Sequence, residues 1–121
     1  MEFFSAGQFR TLSNPGVDSV QLLSPHNSTD ARITITQVTV QPGAGQPRHS
    51  HAASEQIWIA ISGSGRLLLA EGATRGFSAG EVARFAAGDV HGFENSGAQP
   101  FVYMSTTTPP LDFAYAYRDA S

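Results

Sequence analysis

Glycine and proline interrupt this chain at short intervals, and this punctuation limits the folds that it can adopt. Twelve glycines and seven prolines are spread over 121 residues. The stretches between them are short and rich in Val, Ile, Thr and Phe, residues that favour strands over helices. Many short strands at regular spacing predict an all-β fold, either a sandwich or a barrel.

Eight runs are predicted to be strands, and turn residues such as Pro42-Gly43 and Glu71-Gly72 separate several of them. The predicted strands are 19–23, 32–40, 56–61, 65–70, 73–77, 82–85, 91–94 and 101–107. Residues 1–10 and 109–121 carry weaker signals, although the alternation of Phe113, Tyr115 and Tyr117 indicates an edge strand or a packed tail. No repeat or linker is visible, so residues 1–121 are predicted to form a single domain.

The composition excludes several kinds of chemistry. The chain has no cysteine, so disulfides, thiolate nucleophiles and cysteine-based metal sites are excluded. It also has no lysine, which excludes Schiff-base chemistry on this chain. A net charge of −3 with scattered arginines predicts no nucleic-acid partner. No apolar run could cross a bilayer and no secretory signal is visible, so we expect a cytoplasmic protein without a membrane partner.

Three histidines form the strongest candidate for a functional site. His49 and His51 are separated by one residue, so on a strand their side chains would point to the same face. His91 is distant in sequence but follows the turn signal at Ala87-Gly88-Asp89. Imidazole is the commonest metal ligand in proteins, and three imidazoles with one oxygen donor suit a transition metal better than Ca²⁺ or Mg²⁺.

The spacing around these histidines resembles the two signatures of the cupin family. Residues 43–63 read GAGQPRHSHAASEQIWIAISG, in which Gly43, His49 and His51 match the first signature in place. Residues 80–95 read GEVARFAAGDVHGFEN, and the second signature is matched by the positions Gly80, Gly88, His91 and Asn95. Ala86 stands where the family has proline, which we expect to loosen the turn before His91.

The fourth ligand position allows two interpretations. The first signature ends in a glutamate followed by six residues and a glycine. Glu55 has the right side chain but is followed by seven residues before Gly63, whereas Gln56 fits the spacing as an amide. Adjacent strand residues face opposite ways, so only one of the two can face the histidines. Spacing favours Gln56 and charge favours Glu55.

The resemblance implies a double-stranded β-helix, also called a jelly roll or cupin barrel. It further implies one divalent transition metal ion (Fe, Mn, Ni, Cu or Zn) held by His49, His51, His91 and either Gln56 or Glu55. Family members act as dioxygenases, isomerases, lyases and decarboxylases on small oxygen-rich substrates. A non-catalytic module that binds a sugar or an organic acid is the alternative, and a homodimer is expected in either case.

Several other side chains are candidates for the pocket. Trp58, Phe93 and Tyr103 are core residues that could also wall a site, and Tyr103 or Glu55 could act in proton transfer. Arg48 precedes His49, so strand alternation places it on the opposite face and favours a surface role. Ile57, Ile59 and Ile61 form an apolar stripe opposite Gln56 and Trp58, which a second sheet or a second subunit would cover.

Overall fold

The computed structural model describes residues 1–120, which form eleven strands and three short 3-10 turns. The strands are β1 (Arg10–Asn14), β2 (Val17–Leu23), β3 (Thr34–Val40), β4 (Gly45–His49), β5 (Glu55–Ser62), β6 (Ser64–Leu69), β7 (Thr74–Ser78), β8 (Val82–Phe85), β9 (His91–Glu94), β10 (Phe101–Thr108) and β11 (Asp119–Ala120). The turns are Ala6–Gln8, Ala70–Gly72 and Phe113–Ala116. None of these helical segments is long and apolar enough to cross a membrane.

The strands form two antiparallel sheets that enclose one apolar core. The larger sheet has the order β11-β1-β2-β3-β10-β5-β8, and the smaller has the order β4-β9-β6-β7. This arrangement is a double-stranded β-helix, which confirms the all-β prediction from glycine spacing and strand propensity. In the larger sheet β10 lies between β3 and β5, with Ser105 opposite Trp58 and Thr107 opposite Gln56.

Strict alternation on β10 determines which side chains enter the barrel. Its burial pattern alternates from residue to residue over the whole strand, as expected where one face is packed and the other is not. The inward residues are Phe101, Tyr103, Ser105 and Thr107. They pass from aromatic to hydroxylated along the strand, so the barrel interior has an apolar end and a polar end.

All eight predicted strands are present, with boundaries within two residues of those predicted. The sequence analysis missed β1, β4 and β11. In β4 the reason is physical, because Pro47 has no N–H to pair and β-branched residues are absent. The strand lies at the edge of its sheet, and its pairing with β9 is irregular between Gln46 and His49. Proline is tolerated at such positions.

The C-terminal segment packs against the barrel instead of forming the edge strand that its aromatic alternation suggested. Phe113–Ala116 is a 3-10 turn capped by the Asp112 side chain, which accepts a hydrogen bond from the Ala114 N–H. Phe113 is buried. The chain then pairs with β1 through the two-residue strand β11. The prediction of a packed tail is therefore confirmed for Phe113, and the edge strand forms further along the chain, at β11.

Candidate metal centre

Three histidine rings from two remote stretches of the sequence meet at the polar end of the barrel. One nitrogen from each of His49, His51 and His91 lies within 4.8 Å of the corresponding nitrogens of the other two. The ring centroids are separated by 5.1 Å for His49 and His51 and by 4.4 Å for His49 and His91. His49 ends β4 and His91 begins β9, where the two residues are opposite each other in register.

Backbone carbonyls orient two of the three rings. Nδ1 of His49 lies 2.8 Å from the Pro47 oxygen, and Nδ1 of His91 lies 2.9 Å from the Asp89 oxygen. A carbonyl oxygen can only accept, so each Nδ1 is assigned the proton and each Nε2 presents its lone pair. A backbone carbonyl on the non-ligating nitrogen is a recurrent support for metal-binding histidines. Nε2 of His51 is buried and has no partner among residues 1–120.

His91 and Gln56 face each other in a contact that a neutral imidazole cannot satisfy while its proton stays on the Asp89 side. Nε2 of His91 lies 2.9 Å from Oε1 of Gln56, while Nδ1 of His91 already faces the Asp89 carbonyl. The indole N–H of Trp58 lies 3.1 Å from the same Gln56 oxygen and can only donate, which fixes the amide orientation. Both nitrogens of His91 therefore face acceptors. A neutral imidazole has one proton, so a cation between Nε2 and Oε1 would satisfy the contact.

Burial keeps the histidines from resolving this conflict by protonation. Desolvation lowers the pKa of His91 to about 4, partly offset by the hydrogen bond to the Asp89 carbonyl. Desolvation, followed by the charge of His49, also lowers the pKa of His51. His91 packs face to face on Phe85 at 4.3 Å, and Phe113 lies 5.7 Å from His51. These apolar neighbours disfavour an imidazolium, so both rings stay neutral and able to donate a lone pair.

The two candidates for the fourth position point in opposite directions. Gln56 is 5% exposed, and its amide N–H donates to the Thr107 hydroxyl at 2.9 Å. Glu55 faces outward and accepts from the Arg84 guanidinium at 2.8 Å across β5 and β8. The structure therefore brings Gln56 to the histidines and leaves Glu55 in a surface ion pair.

The turn before His91 is closed by hydrogen bonds of Ala86, the residue that replaces the family's proline. The N–H of Ala86 donates to the Asp89 carboxylate at 2.8 Å, and the N–H of Asp89 returns to the Ala86 carbonyl at 3.0 Å. Proline could not make the first of these bonds, so Ala86 gives this turn a hydrogen bond that the family's proline does not, and the looser turn stays a prediction. The Gly88 N–H donates to the His51 carbonyl at 2.8 Å and joins this turn to the first signature.

Asn95 holds the backbone of the loop that follows β9. Its amide nitrogen donates to the carbonyls of Val40 and Gln99 at 3.0 and 2.8 Å, and its oxygen accepts from the Gly97 N–H. The second signature thus ends in a residue that closes the loop before β10. It holds backbone and does not reach the histidines.

A cavity of about 210 Å³ opens beside the histidine cluster. This is below the roughly 300–1,000 Å³ of drug-sized pockets, so it suits a small molecule. Trp58 and Tyr103 line it and stack on each other at 4.2 Å. Phe93 does not line it. This residue is two positions beyond His91 on β9, which places it deeper in the core against Phe101 at 4.2 Å.

Two further candidates lie away from the cluster. The Arg48 guanidinium donates to the carbonyls of Leu69 and Ala73 at 2.8 and 3.3 Å, so it braces the edge of the smaller sheet from outside. Tyr103 is buried, and desolvation raises the pKa of its phenol well above the ordinary value. Its hydroxyl donates to Gln46 at 2.7 Å. The phenol is thus a hydrogen-bonding group and not a base at neutral pH.

Sequence reasoning missed most of the residues that line the cavity, among them Gln46, Ser105, Phe113 and Tyr117. Gln46 belongs to the proline-containing strand β4, whose pattern gave no strand signal. Ser105 was hidden in a run of serine and threonine that reads as an ordinary strand. The aromatic alternation near the C-terminus was a usable signal for Phe113 and Tyr117, because a packed tail must cover something.

Comparisons with known proteins agree with this geometry. The family described as Cupin domain matches residues 36–107, which contain both histidine signatures. No curated protein sequence matches the chain.

Solved structures share the fold at low sequence identity. KdgF from Halomonas sp. is 20% identical with a TM-score of 0.74, covering 92% of this chain and 97% of that one. An uncharacterised Klebsiella pneumoniae protein with a double-stranded beta-helix domain is 23% identical with a TM-score of 0.73, covering 100% and 96%. A predicted oxalate decarboxylase from Thermotoga maritima is 23% identical with a TM-score of 0.67, covering 78% and 81%.

Proposed function

Since this chain belongs to the cupin family, we propose that it is a metal-dependent enzyme acting on a small oxygen-rich substrate. The proposed ligands of one divalent transition metal ion are His49, His51, Gln56 and His91. One observation carries the proposal. The three histidine nitrogens lie within 4.8 Å of one another, and Nε2 of His91 lies 2.9 Å from the Gln56 oxygen that the Trp58 indole orients.

The residues around the cluster would prepare it for an ion. Carbonyl oxygens of Pro47 and Asp89 hold the protons of His49 and His91 on the far side of each ring. Imidazole and amide ligands carry no charge, so they would leave the positive charge of Fe, Mn, Ni, Cu or Zn uncompensated. When bound, such an ion would polarise a substrate oxygen and stabilise negative charge that develops on it.

The reaction type is proposed at the level of the family. In dioxygenase, isomerase, lyase and decarboxylase reactions, negative charge develops on an oxygen atom. A metal ion bound at this site would stabilise that charge. The Thermotoga maritima relative described as a predicted oxalate decarboxylase supports a small oxygen-rich substrate. Neither Glu55 nor Tyr103 is proposed as the base, because Glu55 faces outward and the Tyr103 phenol stays protonated.

A binding module for a small sugar or organic acid is the second candidate, and one observation favours it. Among residues 1–120, the side chains lining the cavity include no Asp, Glu, Lys or Arg. Apart from the histidines themselves, the cavity therefore offers no side chain that exchanges protons near neutral pH. Calorimetric binding of small hydroxy and keto acids without any turnover would favour this second candidate over the first.

A homodimer is proposed from the outer face of the larger sheet. Ile59 is 41% exposed and lies between Val82 on β8 and Met104 on β10. Ile61 is 52% exposed on the same face of β5. A contiguous apolar surface of this kind commonly marks an interface. The cytoplasmic location and the absence of a nucleic-acid partner stay predictions from the sequence.

Metal analysis tests the proposed function directly. Untagged protein loaded with Mn²⁺, Fe²⁺, Ni²⁺, Cu²⁺ or Zn²⁺ and dialysed should retain about one ion per chain of at least one of them. The His91→Ala variant should lose more than about 100-fold in metal affinity, since even supporting residues cost 10- to 100-fold. His26→Ala is the matched control, because His26 lies in an exposed turn. Full retention by the His91 variant would contradict the proposal.

A further inference from the structure

One hydroxyl that lines the cavity has no hydrogen-bond partner among residues 1–120. Ser105 is 3% exposed, and its Oγ is buried without a hydrogen bond to any described residue. Only one other buried side-chain polar atom within residues 1–120 shares this condition, and it is Nε2 of His51. Both residues line the same cavity. A buried hydroxyl without a partner opposes folding, so its presence here points to a partner that enters the cavity.

Ser105 lies on β10 at a distance from the histidine cluster. Thr107, two residues further on β10, accepts from Gln56 beside the histidines. Ser105 lies opposite Trp58 on β5 and Thr36 on β3, both of which also line the cavity. Residues two apart on a strand are separated by roughly 7 Å. A ligand that reached from the histidines to Ser105 would therefore span only a few bonds.

The cavity around Ser105 offers neutral hydrogen-bonding groups and no charge. The Tyr103 hydroxyl donates to Gln46 Oε1 at 2.7 Å, and Gln46 Nε2 donates to the Tyr117 hydroxyl at 3.4 Å. Burial raises the pKa of both phenols, so they remain uncharged. Gln46 has a second amide hydrogen with no acceptor among the described residues, so it could donate to a ligand oxygen.

No arginine side chain among residues 1–120 lines the cavity, so none is placed to hold an anion there. Arg48 and Arg84, which belong to strands near the site, bind backbone carbonyls and Glu55 on the outer surface. A phosphate or a second carboxylate at the Ser105 end would therefore be desolvated without a countercharge, which is strongly unfavourable. An uncharged oxygen meets no such penalty.

We propose that Ser105 is a specificity-determining residue that anchors an uncharged hydroxyl or carbonyl oxygen at the far end of the ligand. The near end of that ligand binds at the histidine cluster, so this inference rests on the proposed metal site. The ligand class is a small molecule with at most one anionic group, placed at the metal, and with a neutral oxygen a few bonds away. Phosphorylated compounds and dicarboxylates with a charged far end are excluded.

A series of hydroxamates that share one metal-binding end tests the far end. Pentanohydroxamate ends in methyl, 4-hydroxybutanohydroxamate ends in hydroxyl at the same position, and the monohydroxamate of succinate ends in carboxylate. Calorimetry with the metal-loaded protein should give affinity about 3- to 10-fold higher for the hydroxyl than for the methyl, as one neutral hydrogen bond predicts. The carboxylate should bind more weakly than the methyl compound.

The Ser105→Ala variant should bind the hydroxyl and methyl compounds equally. It should unfold at the same temperature as the parent or higher, because an unpartnered buried hydroxyl is removed. Ser64→Ala, at an exposed serine on β6, should keep the parent's preference. An unchanged preference in Ser105→Ala, or tightest binding by the carboxylate, would overturn the inference while leaving the metal site intact.

A metal-free arm separates this inference from the proposed function. The chain has a single tryptophan, so one indole N–H signal in the NMR spectrum reports on the strand position opposite Ser105. Without metal, 4-hydroxybutanamide should shift this signal at lower concentration than pentanamide does, and succinamate should not shift it. If no metal is retained, the proposed function fails and this comparison alone decides the inference. Equal titrations by the two neutral amides would then overturn it.

Discussion

The two ends of the barrel interior are built from the same strands but differ in what they leave unsatisfied. At the apolar end, called the closed end below, Phe93 of β9 stacks on Phe101 of β10 at 4.2 Å, and Phe77 adds a third ring at 5.8 Å from Phe101. At the polar end, called the open end below, the same two strands present His91 and Ser105. The closed end is apolar and fully buried, whereas the open end holds the two buried polar atoms that lack partners among residues 1–120.

The phenylalanines at one end stabilise the fold, whereas the unpartnered polar atoms at the other end have a free-energy cost in the absence of a ligand. Burying a phenylalanine stabilises a protein by about 1.5–3 kcal/mol, whereas an unsatisfied buried polar group costs about 1–3 kcal/mol. Moving two residues along a strand changes a packed aromatic position into a polar one: from Phe93 to His91 on β9, and from Tyr103 to Ser105 on β10. The barrel can therefore support an unfavourable open end, because the closed end is well packed.

The largest expected effect is on stability, at the closed end. Phe93→Ala should lower the free energy of unfolding by about 3–5 kcal/mol, since it leaves a cavity among stacked rings. Urea denaturation followed by circular dichroism measures this. Phe3→Ala, at a residue that is 81% exposed, should change the value by less than about 0.5 kcal/mol. Comparable losses in the two variants would break the contrast between the ends.

The open end should instead make the metal-free protein sensitive to acid. The folded-state pKa of His91 lies near 4, below its ordinary value of 6.5, so the unfolded chain binds the proton first as pH falls. The free energy of unfolding should therefore drop between pH 6.5 and about 4, by at most about 2 kcal/mol for this residue between pH 7 and pH 5. Below pH 4 both states are protonated and the loss from this residue stops growing.

Urea titrations of the metal-free parent and of His91→Ala at pH 7 and pH 5 measure this dependence. The variant should lose less stability between the two pH values than the parent, because one acid-sensitive group has been removed. His26→Ala should behave as the parent does. An identical pH dependence in all three proteins would mean that the open end does not hold His91 in its neutral form.

Exchanging amide and carboxylate at two adjacent positions of β5 compares the inward and outward faces of a single strand. Gln56→Glu places a carboxylate at the histidines and should raise metal affinity by roughly 10-fold, because the carboxylate offsets the charge of the ion. Glu55→Gln removes a carboxylate from the outer surface and should leave metal affinity unchanged. Competition with a chromophoric chelator measures both. If instead Glu55→Gln weakens binding and Gln56→Glu leaves it unaltered, the ligand assignment is reversed.

The smallest effect on metal binding is expected outside the barrel. Ile59→Glu adds a charge to the apolar outer face of β5 and should shift the mass from light scattering from dimer to monomer. Metal affinity should stay within about twofold, since the side chain points away from Gln56. Gln99→Glu adds the same charge in an exposed loop and should keep the parent's mass. A parent that is already monomeric would rule out the interface.

Much of the fold could be predicted because its signals are local. Short runs of β-branched, aromatic and leucine residues between turn signals predicted every strand except β1, β4 and β11, and the histidine spacing predicted which three rings would meet. Strand β4 could not be read because its pairing depends on an edge position that tolerates Pro47. The choice between Glu55 and Gln56 could not be made from spacing and charge, whereas the side-chain directions on β5 separate the two.

The cavity was less predictable than the cluster because its walls come from unrelated segments. Gln46 lies on the edge strand, Ser105 is central in the larger sheet, and Phe113 and Tyr117 come from the C-terminal tail. No local pattern joins these positions, since only the folded barrel brings them to one end. Phe93 lies in the core, as predicted, and for the same reason its absence from the cavity lining could not be foreseen. Its strand and face were correct, but its depth in the barrel was not visible in the sequence.

Anomalous diffraction from crystals grown with the best-retained metal ion would locate the ion. We expect one strong peak at the metal's absorption edge, within coordination distance of Nε2 of His49, His51 and His91 and of Oε1 of Gln56. The peak should be absent from crystals of His91→Ala. A fully loaded crystal whose peak lies away from these four atoms, or near Glu55, would contradict the proposed metal site.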